Sequence, residues 1–181
     1  MRELVEQAQK GDRDAFAVLA SASVDRLYAV ARRILQDHER AQDAVQSALL
    51  GAWRDLPALR DCAKFEQWLH RLLVRACYEE ARRQRAFQAN VKLLKIEPSV
   101  SDPTGMLADR DQLERGFRRL TVEQRAVVVL HFYLGLALTE VSELLGLPEG
   151  TTRSRLHYAL RAMRAALEAD DRHLRSEGRQ A

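Results

Sequence analysis

Apolar residues recur along most of the chain at the 3.6-residue period of a helix, and no stretch alternates as a strand does. The pattern predicts helices over residues 14–35, 39–55 and 65–87, and Pro57 ends the second of them. The expected inward-facing residues are Phe16, Leu19, Leu27, Ala31 and Ile34, then Ala41, Val45, Ala48, Leu49 and Ala52, then Leu69, Leu72, Leu73, Ala76 and Ala81. These predictions describe an all-α protein.

Residues 88–108 interrupt the helical pattern with two prolines, a glycine and several Ser and Thr, which is typical of a linker. The pattern resumes near Asp109, and Thr121 followed by Gln124 predicts a helix N-cap with a capping box. We therefore expect two small helical domains, with a linker between them and a frayed tail after them. The expected bounds are 1–87 for the first domain, 88–108 for the linker, 109–168 for the second domain and 169–181 for the tail.

Residues 137–167 predict a helix-turn-helix. A short amphipathic helix ends at Gly146, which favours the left-handed conformation of a helix end, and Pro148 prevents that helix from continuing. A second helix opens near 149–151. The expected inward stripe is Val141, Leu144 and Leu145 on the first helix, with Leu147 after the turn, and Leu156, Ala159, Leu160, Met163 and Leu167 on the second.

The other positions of the second helix are polar or basic. Arginine near the start of such a helix can reach guanine edges in the major groove, and Ser or Thr can reach phosphate or base. This composition favours DNA binding over the alternative, an antiparallel helix pair with a solvated basic face. The residues expected to point away from the apolar stripe are Thr152, Arg153, Ser154, Arg155, His157, Tyr158 and Arg161.

The net charge of the 181 residues is only +3 and by itself indicates no partner, so we consider where the charged residues lie along the chain. Residues 71–95 carry a local charge of +5, residues 97–114 carry −4, and residues 150–164 carry +4 with no acid. Two basic segments that flank an acidic one suit contact with a polyanion at two places. No apolar run is long enough for a transmembrane helix, and the polar start does not resemble a signal peptide, so we expect a soluble, cytoplasmic protein without membrane insertion.

The sequence offers no set of residues for chemistry. Its five histidines are scattered, and it contains neither a phosphate-binding glycine motif nor a nucleophile with a base. Cys62 and Cys77 form no disulfide framework or metal pair, and we expect Cys77 in the core and Cys62 as a small apolar filler, a redox-sensing thiol being the alternative. We therefore expect no catalytic residue, metal or cofactor, and no enzyme activity of the chain alone.

Two segments resemble the extracytoplasmic-function (ECF) sigma factors of bacterial RNA polymerase. Leu120–Leu167 is similar to region 4 of that family, with an L-x-x-x-Q-R start and the string E-G-T-x-x-S-R-L-H. Leu27–Arg85 is similar to region 2, through Asp43, Val45 and Gln46, Ala52-Trp53, Phe65, Trp68-Leu69 and Arg82-Arg83. The resemblance implies a specificity subunit that binds core RNA polymerase and reads the −10 and −35 elements of promoter DNA.

For region 2, the resemblance implies that one face of the helix over 39–55 docks on core polymerase, the alternative being a solvated face. It also implies that a loop and the helix after it read and melt the −10 element, with Phe65 and Trp68 interpreted as core residues. The expected polymerase-binding residues are Gln42, Asp43, Gln46 and Leu50, and the expected −10 residues are Arg60, Lys64, Arg71, Arg75, Arg82 and Arg83. Arg75 stands where the family often has Asn, which leaves −10 base reading open at that position.

For region 4, the resemblance implies −35 contacts from the second helix of the helix-turn-helix. Tyr158 stands where the family often has Arg, so one phosphate contact is lost in this interpretation, and His157 could instead face solvent. The expected −35 residues are Arg153, Ser154 and His157, with Thr151 and Arg155 on phosphates.

Two other functions compete with the sigma factor. A stand-alone helix-turn-helix regulator would bind duplex DNA as a dimer, but it would not need a polymerase-docking domain in the N-terminal half. A protein-binding adaptor would leave the basic segments solvated, which the four arginines and no acid over 150–164 oppose. The resemblance also implies control by an anti-sigma protein, although no residue identifies one.

Overall fold

The computed structural model describes the backbone of residues 1–93 and 114–177, with side chains over 1–89 and 114–168. The described elements are helical, and we number the α-helices in chain order. The N-terminal helices are α1 (Arg2–Gln9), α2 (Arg13–Leu35), α3 (His38–Asp55) and α4 (Phe65–Leu93), with short 3-10 helices at Leu56–Ala58 and Cys62–Lys64. The C-terminal helices are α5 (Val122–Val128), a π-helical turn (Val129–Tyr133), α6 (Leu138–Leu145) and α7 (Glu149–Glu177), preceded by helical residues 114–118.

Helices α2, α3 and α4 pack together around an apolar core, as the hydrophobic pattern predicts. Most of the expected inward residues are buried, and Phe16, Leu49 and Leu72 are partly buried against the same cluster. Phe65 is also buried, whereas Trp68 and Trp53 are half-buried at the edge of the core. Cys77 is fully buried, as expected, and burial raises the pKa of its thiol to about 12.

Helix α1 was not among the predicted elements. Its Val5 and Ala8 are buried against the first domain, and Gly11 makes the turn to α2 with a φ of +93°. The carboxylate of Asp12 then caps α2 by accepting hydrogen bonds from the backbone N–H of Asp14 and Ala15, at 2.9 and 3.1 Å. The glycine and the N-cap aspartate are the sequence signals that mark this boundary.

Helix α4 continues to Leu93 and therefore extends six residues into the segment expected as linker. The remainder of that segment, 94–108, lies outside the described residues, as does the expected helical start over 109–113. Beyond Ala81 the described side chains of α4 are exposed except for the half-buried Gln84, because no apolar residue on this stretch faces the core. The helix thus extends beyond the last residue of the apolar pattern from which it was predicted.

The second domain forms the expected helix-turn-helix. Thr121 caps α5 through reciprocal hydrogen bonds with Gln124, at 3.2 and 2.9 Å. Gly146 ends α6 with a φ of 66°, while its N–H and that of Leu147 bond to the carbonyls of Glu143 and Ser142. These two bonds are those of a Schellman turn, which satisfies the last carbonyls of the helix before α7 begins.

Three expectations about the stripe of α6 and α7 are wrong. Leu160 is 41% exposed because it lies at the edge of the apolar stripe, about 100° around the helix axis from the buried Ala159, while Ala166 is buried further along the same helix. Thr152 is fully buried rather than outward-facing, because it lies one turn before Leu156 on the buried side of α7. Leu147 is half-buried and does not belong to the core.

The two domains pack against each other. Helices α2 and α4 contact α5, the π-helical turn and α6, and the buried apolar residues of both domains form one continuous cluster. Side chains of both domains also bond across this boundary. The guanidinium of Arg33 on α2 lies 3.9 Å from the ring centroid of Tyr133, as a cation–π pair.

Candidate nucleic-acid interface

An apolar groove of about 570 Å³ runs between α2 and α3. Gln42, Gln46 and Leu50 follow one another at four-residue intervals along its α3 wall, and Leu50 is 64% exposed. Asp43 is exposed beside them but does not line the groove. The α2 side of the groove consists of Phe16, Val24 and Tyr28, with Trp53 at its end, and the residue pattern had not indicated this side.

The loop after α3 is held in place by α1. The side-chain amide of Gln9 donates to the carbonyls of Leu56 and Leu59, at 3.1 and 2.7 Å, and its oxygen faces the thiol of Cys62 at 3.4 Å. The carboxylate of Asp61 caps the second 3-10 helix by accepting from the N–H of Ala63 at 3.0 Å. These bonds fix a loop on which the expected −10 residues Arg60 and Lys64 are exposed.

Three of the four expected −10 arginines of α4 share one face of the helix. At 100° per residue, Arg71, Arg75 and Arg82 fall within an arc of about 40°. Arg75 and Arg82 are exposed, and Arg71 is half-buried. Arg83 lies off this arc, and its guanidinium forms an ion pair with the largely buried carboxylate of Glu80 at 2.5 Å.

Arg71 is turned toward the second domain. Its Nη2 donates to the backbone carbonyl of Glu143 in the last turn of α6, at 3.0 Å. A cation at this position is favourable because the C-terminal carbonyls of a helix carry partial negative charge. The side chain expected to contact the −10 strand therefore caps the first helix of the helix-turn-helix.

Arg153, Ser154 and His157 lie together on the exposed side of the first three turns of α7. Arg153 pairs with Glu149 one turn earlier at 3.2 Å, and the Ser154 hydroxyl donates to the carbonyl of Thr151 at 3.0 Å. An exposed ion pair of this kind contributes little free energy, so Arg153 can leave Glu149 for a stronger acceptor. Thr151 itself is half-buried at the start of the helix.

Arg155 does not share that exposed side. It is half-buried and lies beside Tyr78 of α4, whose hydroxyl is buried. Burial raises the pKa of Tyr78 to about 12, with the positive charge of Arg155 opposing the increase. The structure thus separates Arg155 from the other expected −35 residues and places it at the boundary between the domains.

An exposed apolar surface was missed by the sequence analysis. Phe132, Tyr133 and Leu160 are 60%, 44% and 41% exposed, and they line a second groove of about 560 Å³ with Phe117 and Met163. Arg33 and Gln36 of α2 complete its wall, so the groove exists only where the domains meet. The adjacent pair Phe132-Tyr133 after an apolar run is the sequence signal that was available.

His70 is buried at the same boundary, and its Nε2 has no hydrogen-bond partner in the described structure. Its Nδ1 contacts the carbonyl of Glu66 at 2.8 Å. Burial lowers the pKa of His70, the hydrogen bond to Glu66 opposes this, and the nearby charge of Arg26 lowers it further. The imidazole is therefore held neutral.

Neither a metal centre nor a membrane span emerges from the part of the chain that the structure describes. No three His, Cys, Asp or Glu side chains there are grouped so that they could hold an ion. None of the described helices is both long and apolar enough to cross a bilayer. The arrangement is instead one of exposed basic side chains and apolar grooves, which are features of macromolecular interfaces.

Two family models match the chain in this order: Sigma-70 region 2 over residues 19–87, and Sigma-70, region 4 over residues 116–165. The ECF RNA polymerase sigma factor SigM of Mycobacterium tuberculosis is 36% identical over 153 residues, covering 84% of this chain and 77% of SigM. SigW of Bacillus subtilis, also an ECF RNA polymerase sigma factor, is 26% identical over 180 residues, covering 92% of this chain and 96% of SigW.

Two solved structures resemble the fold. CnrH in complex with the cytosolic domain of CnrY has a TM-score of 0.65 at 25% identity, covering 93% of this chain and 97% of CnrH. The sigma factor RpoE in complex with the anti-sigma factor NepR from Bartonella quintana has a TM-score of 0.68 at 23% identity, covering 86% of this chain and 98% of RpoE.

The chain belongs to the ECF sigma factors of the sigma-70 family. It is accordingly an alternative sigma factor, whose two domains bind core RNA polymerase and promoter DNA and direct transcription initiation. A stand-alone regulator is not favoured, since both sigma regions are present in the family's order.

The buried neutral imidazole of His70 predicts a pH dependence of stability. The unfolded chain takes up a proton near the ordinary pKa of 6.5, whereas the folded chain does so only at lower pH. The free energy of unfolding is therefore expected to fall as pH drops below 6.5. For this one group, the slope is at most about 1.4 kcal/mol per pH unit.

The measurement is urea unfolding of the wild-type chain and of His70→Gln at several pH values between neutral and mildly acidic. The variant should show the flatter dependence, because it has no group to protonate at this position. Parallel pH profiles for the two chains would contradict the assignment to His70.

Proposed function

We propose that this sigma factor docks on core polymerase through the α2–α3 groove and reads the −35 element with the start of α7. The observation that carries the proposal is the geometry of the two sets: Gln42, Gln46 and Leu50 line one apolar groove, while Arg153, Ser154 and His157 share the exposed side of α7. An apolar groove with a polar rim suits a helical protein partner, and an exposed basic helix start suits the major groove.

The groove is expected to supply the polymerase contact. Leu50 is large, apolar and 64% exposed. Its burial by a partner would therefore make a large contribution to the binding free energy. Asp43 stands next to the groove, where its carboxylate would meet the polar rim of the contact. This assignment needs no side chain of the second domain.

Truncation at the groove is expected to weaken polymerase binding without unfolding the domain. Leu50→Ala, and separately Asp43→Ala with Gln46→Ala, should each reduce the affinity for sigma-free core polymerase by about ten-fold. Circular dichroism should show unchanged helix content. Ser47→Ala, on the same helix but outside the groove, is the matched control, and equal affinity of all three variants would remove the groove from the polymerase interface.

The start of α7 is expected to supply the −35 contacts, with Thr151 and Arg155 on phosphates. A bidentate arginine contact to guanine discriminates by about 1–3 kcal/mol. Arg155 can contact a phosphate only after its side chain leaves Tyr78, whereas Arg153, Ser154 and His157 are already exposed. Phosphate contacts would add affinity that depends on salt but not on sequence.

Arg153→Ala and Ser154→Ala are each expected to reduce transcription from −35-dependent promoters by about five- to 100-fold, the range that corresponds to one lost base contact. The assay is transcription in vitro with core polymerase on promoters mapped with the wild-type chain. Arg164→Ala removes the same charge three turns further along α7 and is expected to have a small effect. Similar losses in Arg153→Ala and Arg164→Ala would mean that only charge matters.

For the −10 element, we assign the exposed loop cations and the basic side of α4 to the separated upstream strand. Such a groove binds the strand backbone electrostatically while aromatic or polar walls receive a base. The residues concerned are Arg60, Lys64, Arg71, Arg75, Arg82 and Arg83, of which Arg71 and Arg83 must first release Glu143 and Glu80. In this proposal the chain positions and opens the promoter DNA, while the polymerase carries out the catalysis. The chain itself is therefore not an enzyme. Its place of action is the cytoplasm, together with the polymerase.

We also extend to this chain the class of partner seen with the RpoE relative, an anti-sigma protein. The groove around Phe132 and Leu160 supports the extension, because exposed apolar side chains that are grouped together are typical of protein-interaction surfaces. Purification of the chain from its native cells, with mass spectrometry of what accompanies it, is expected to yield one additional protein that competes with core polymerase. Recovery with core polymerase alone would speak against this partner.

A further inference from the structure

Tyr158 is an exposed aromatic residue on the side of α7 that carries the expected −35 residues, and none of the −35 contacts proposed for α7 involves it. Its side chain is 57% exposed and lies one turn after Ser154. At 100° per residue, Tyr158 is about 40° around the helix axis from Ser154, whereas the buried Leu156 and Ala159 are about 160° and 140° from Ser154. Tyr158 therefore belongs to the exposed side of the helix and not to its apolar stripe.

The imidazole of His157 restricts the phenol ring of Tyr158. The two ring centroids lie 5.6 Å apart and the ring planes are inclined by 73°, which is an edge-to-face contact. His157 is itself exposed, so the pair forms a small aromatic surface on the outside of α7 rather than a part of the core. A tyrosine has only two side-chain torsions, and a ring that is already restricted loses little conformational entropy when it binds.

The position of Tyr158 along α7 suits a base pair close to the one that Ser154 meets. Four residues advance the helix by about 6 Å, which is close to the rise of two base pairs in duplex DNA. The two side chains leave the helix on the same side, as described above. A helix whose start lies in the major groove with Ser154 toward the bases therefore brings the ring of Tyr158 into the groove as well.

An aromatic ring recognises a different feature of the major groove from the one that a cation recognises. Guanine presents two acceptors there, adenine an acceptor and a donor, and cytosine a donor, whereas thymine adds an apolar C5-methyl group to its one acceptor. The phenol ring has no polar group except its terminal hydroxyl, so the thymine methyl is the feature of the base edges that complements it. The hydroxyl can donate to a phosphate oxygen, which adds affinity but no sequence preference.

We propose that Tyr158 is a specificity-determining residue of the −35 interface, whose ring packs against the C5-methyl group of a thymine. The inference rests on the proposed placement of the start of α7 on the −35 element. Arg153 and Ser154 read donors and acceptors in that arrangement, while Tyr158 adds an apolar contact about two base pairs further along the groove. Promoters that this chain reads are therefore expected to carry a thymine at one fixed position of the −35 element.

The test removes the methyl group from the DNA and the ring from the protein, separately and together. Core polymerase with the full chain is bound to a promoter mapped with the wild-type chain, in which each thymine of the −35 element, on either strand, is replaced in turn by deoxyuridine. At one thymine, the replacement is expected to weaken binding of the wild-type chain by about four-fold, the scale for burial of one methyl group. The same replacement should not affect Tyr158→Ala, because this variant lacks the contact.

Three further variants separate the base contact from other effects. Tyr158→Phe keeps the ring and should keep the four-fold effect, whatever the hydroxyl contributes. Arg164→Ala, an exposed position further along the same helix, is the matched control and should also keep it. Tyr158→Arg replaces the ring by a cation: the effect of the methyl group should disappear, and the slope of log K against log salt should become steeper by about 0.9, as for one additional phosphate contact.

Equal effects of every deoxyuridine on the wild-type chain and on Tyr158→Ala would overturn the methyl contact. So would a Tyr158→Ala chain that binds more weakly by the same factor whichever base stands at that position, since this result indicates a phosphate contact alone. Scrambling the whole −35 element checks the proposed function separately. If wild-type binding and transcription do not fall, α7 does not read this element, and the failure is that of the proposed function rather than of Tyr158.

Discussion

The burial of one side of α4 determines how the rest of the molecule is arranged. Leu69, Leu73 and Cys77 are each at most 2% exposed among α2 and α3, and the burial of such side chains favours folding of the first domain. Because a helix is rigid, fixing that side also fixes the opposite one, where Arg71 and Tyr78 meet the second domain. The domain boundary follows from this packing, and so does the placement of α2 and α3, between which the first apolar groove lies.

The sequence predicted the elements whose signal is local and repeated. The apolar spacing located Leu73 and Ala81 in the core, and the turn chemistry located Gly146 and Thr121 at their helix ends. Helix α1 was missed because only two of its residues are buried and, apart from the partly buried Leu4, its other positions are polar. The exposed Leu160 was misplaced because helical spacing gives the direction of a residue around the axis but not the width of the stripe that the partner helices cover.

For the candidate site too, the sequence predicted only features whose signal is local. Composition and resemblance identified the candidate cations and the exposed Leu50. They give no information about which of these side chains contact a segment that is distant in the sequence. Arg71 and Glu143 are 72 positions apart, and their contact exists only once both domains have folded. Arg155 is likewise distinguished from Arg153 by its neighbour on α4 rather than by anything in its own helix. Tertiary pairing of this kind has no local signature.

The hold of Gln9 on the loop after α3 has a consequence for dynamics. One amide at the end of a two-turn helix satisfies two loop carbonyls, so opening of α1 releases both of these bonds. Amide hydrogen exchange in the loop should then follow exchange in α1 rather than exchange in α4. The loop that carries the exposed Arg60 and Lys64 is thereby tied to a short helix with two buried residues, so it can yield locally while the core around Leu73 stays intact.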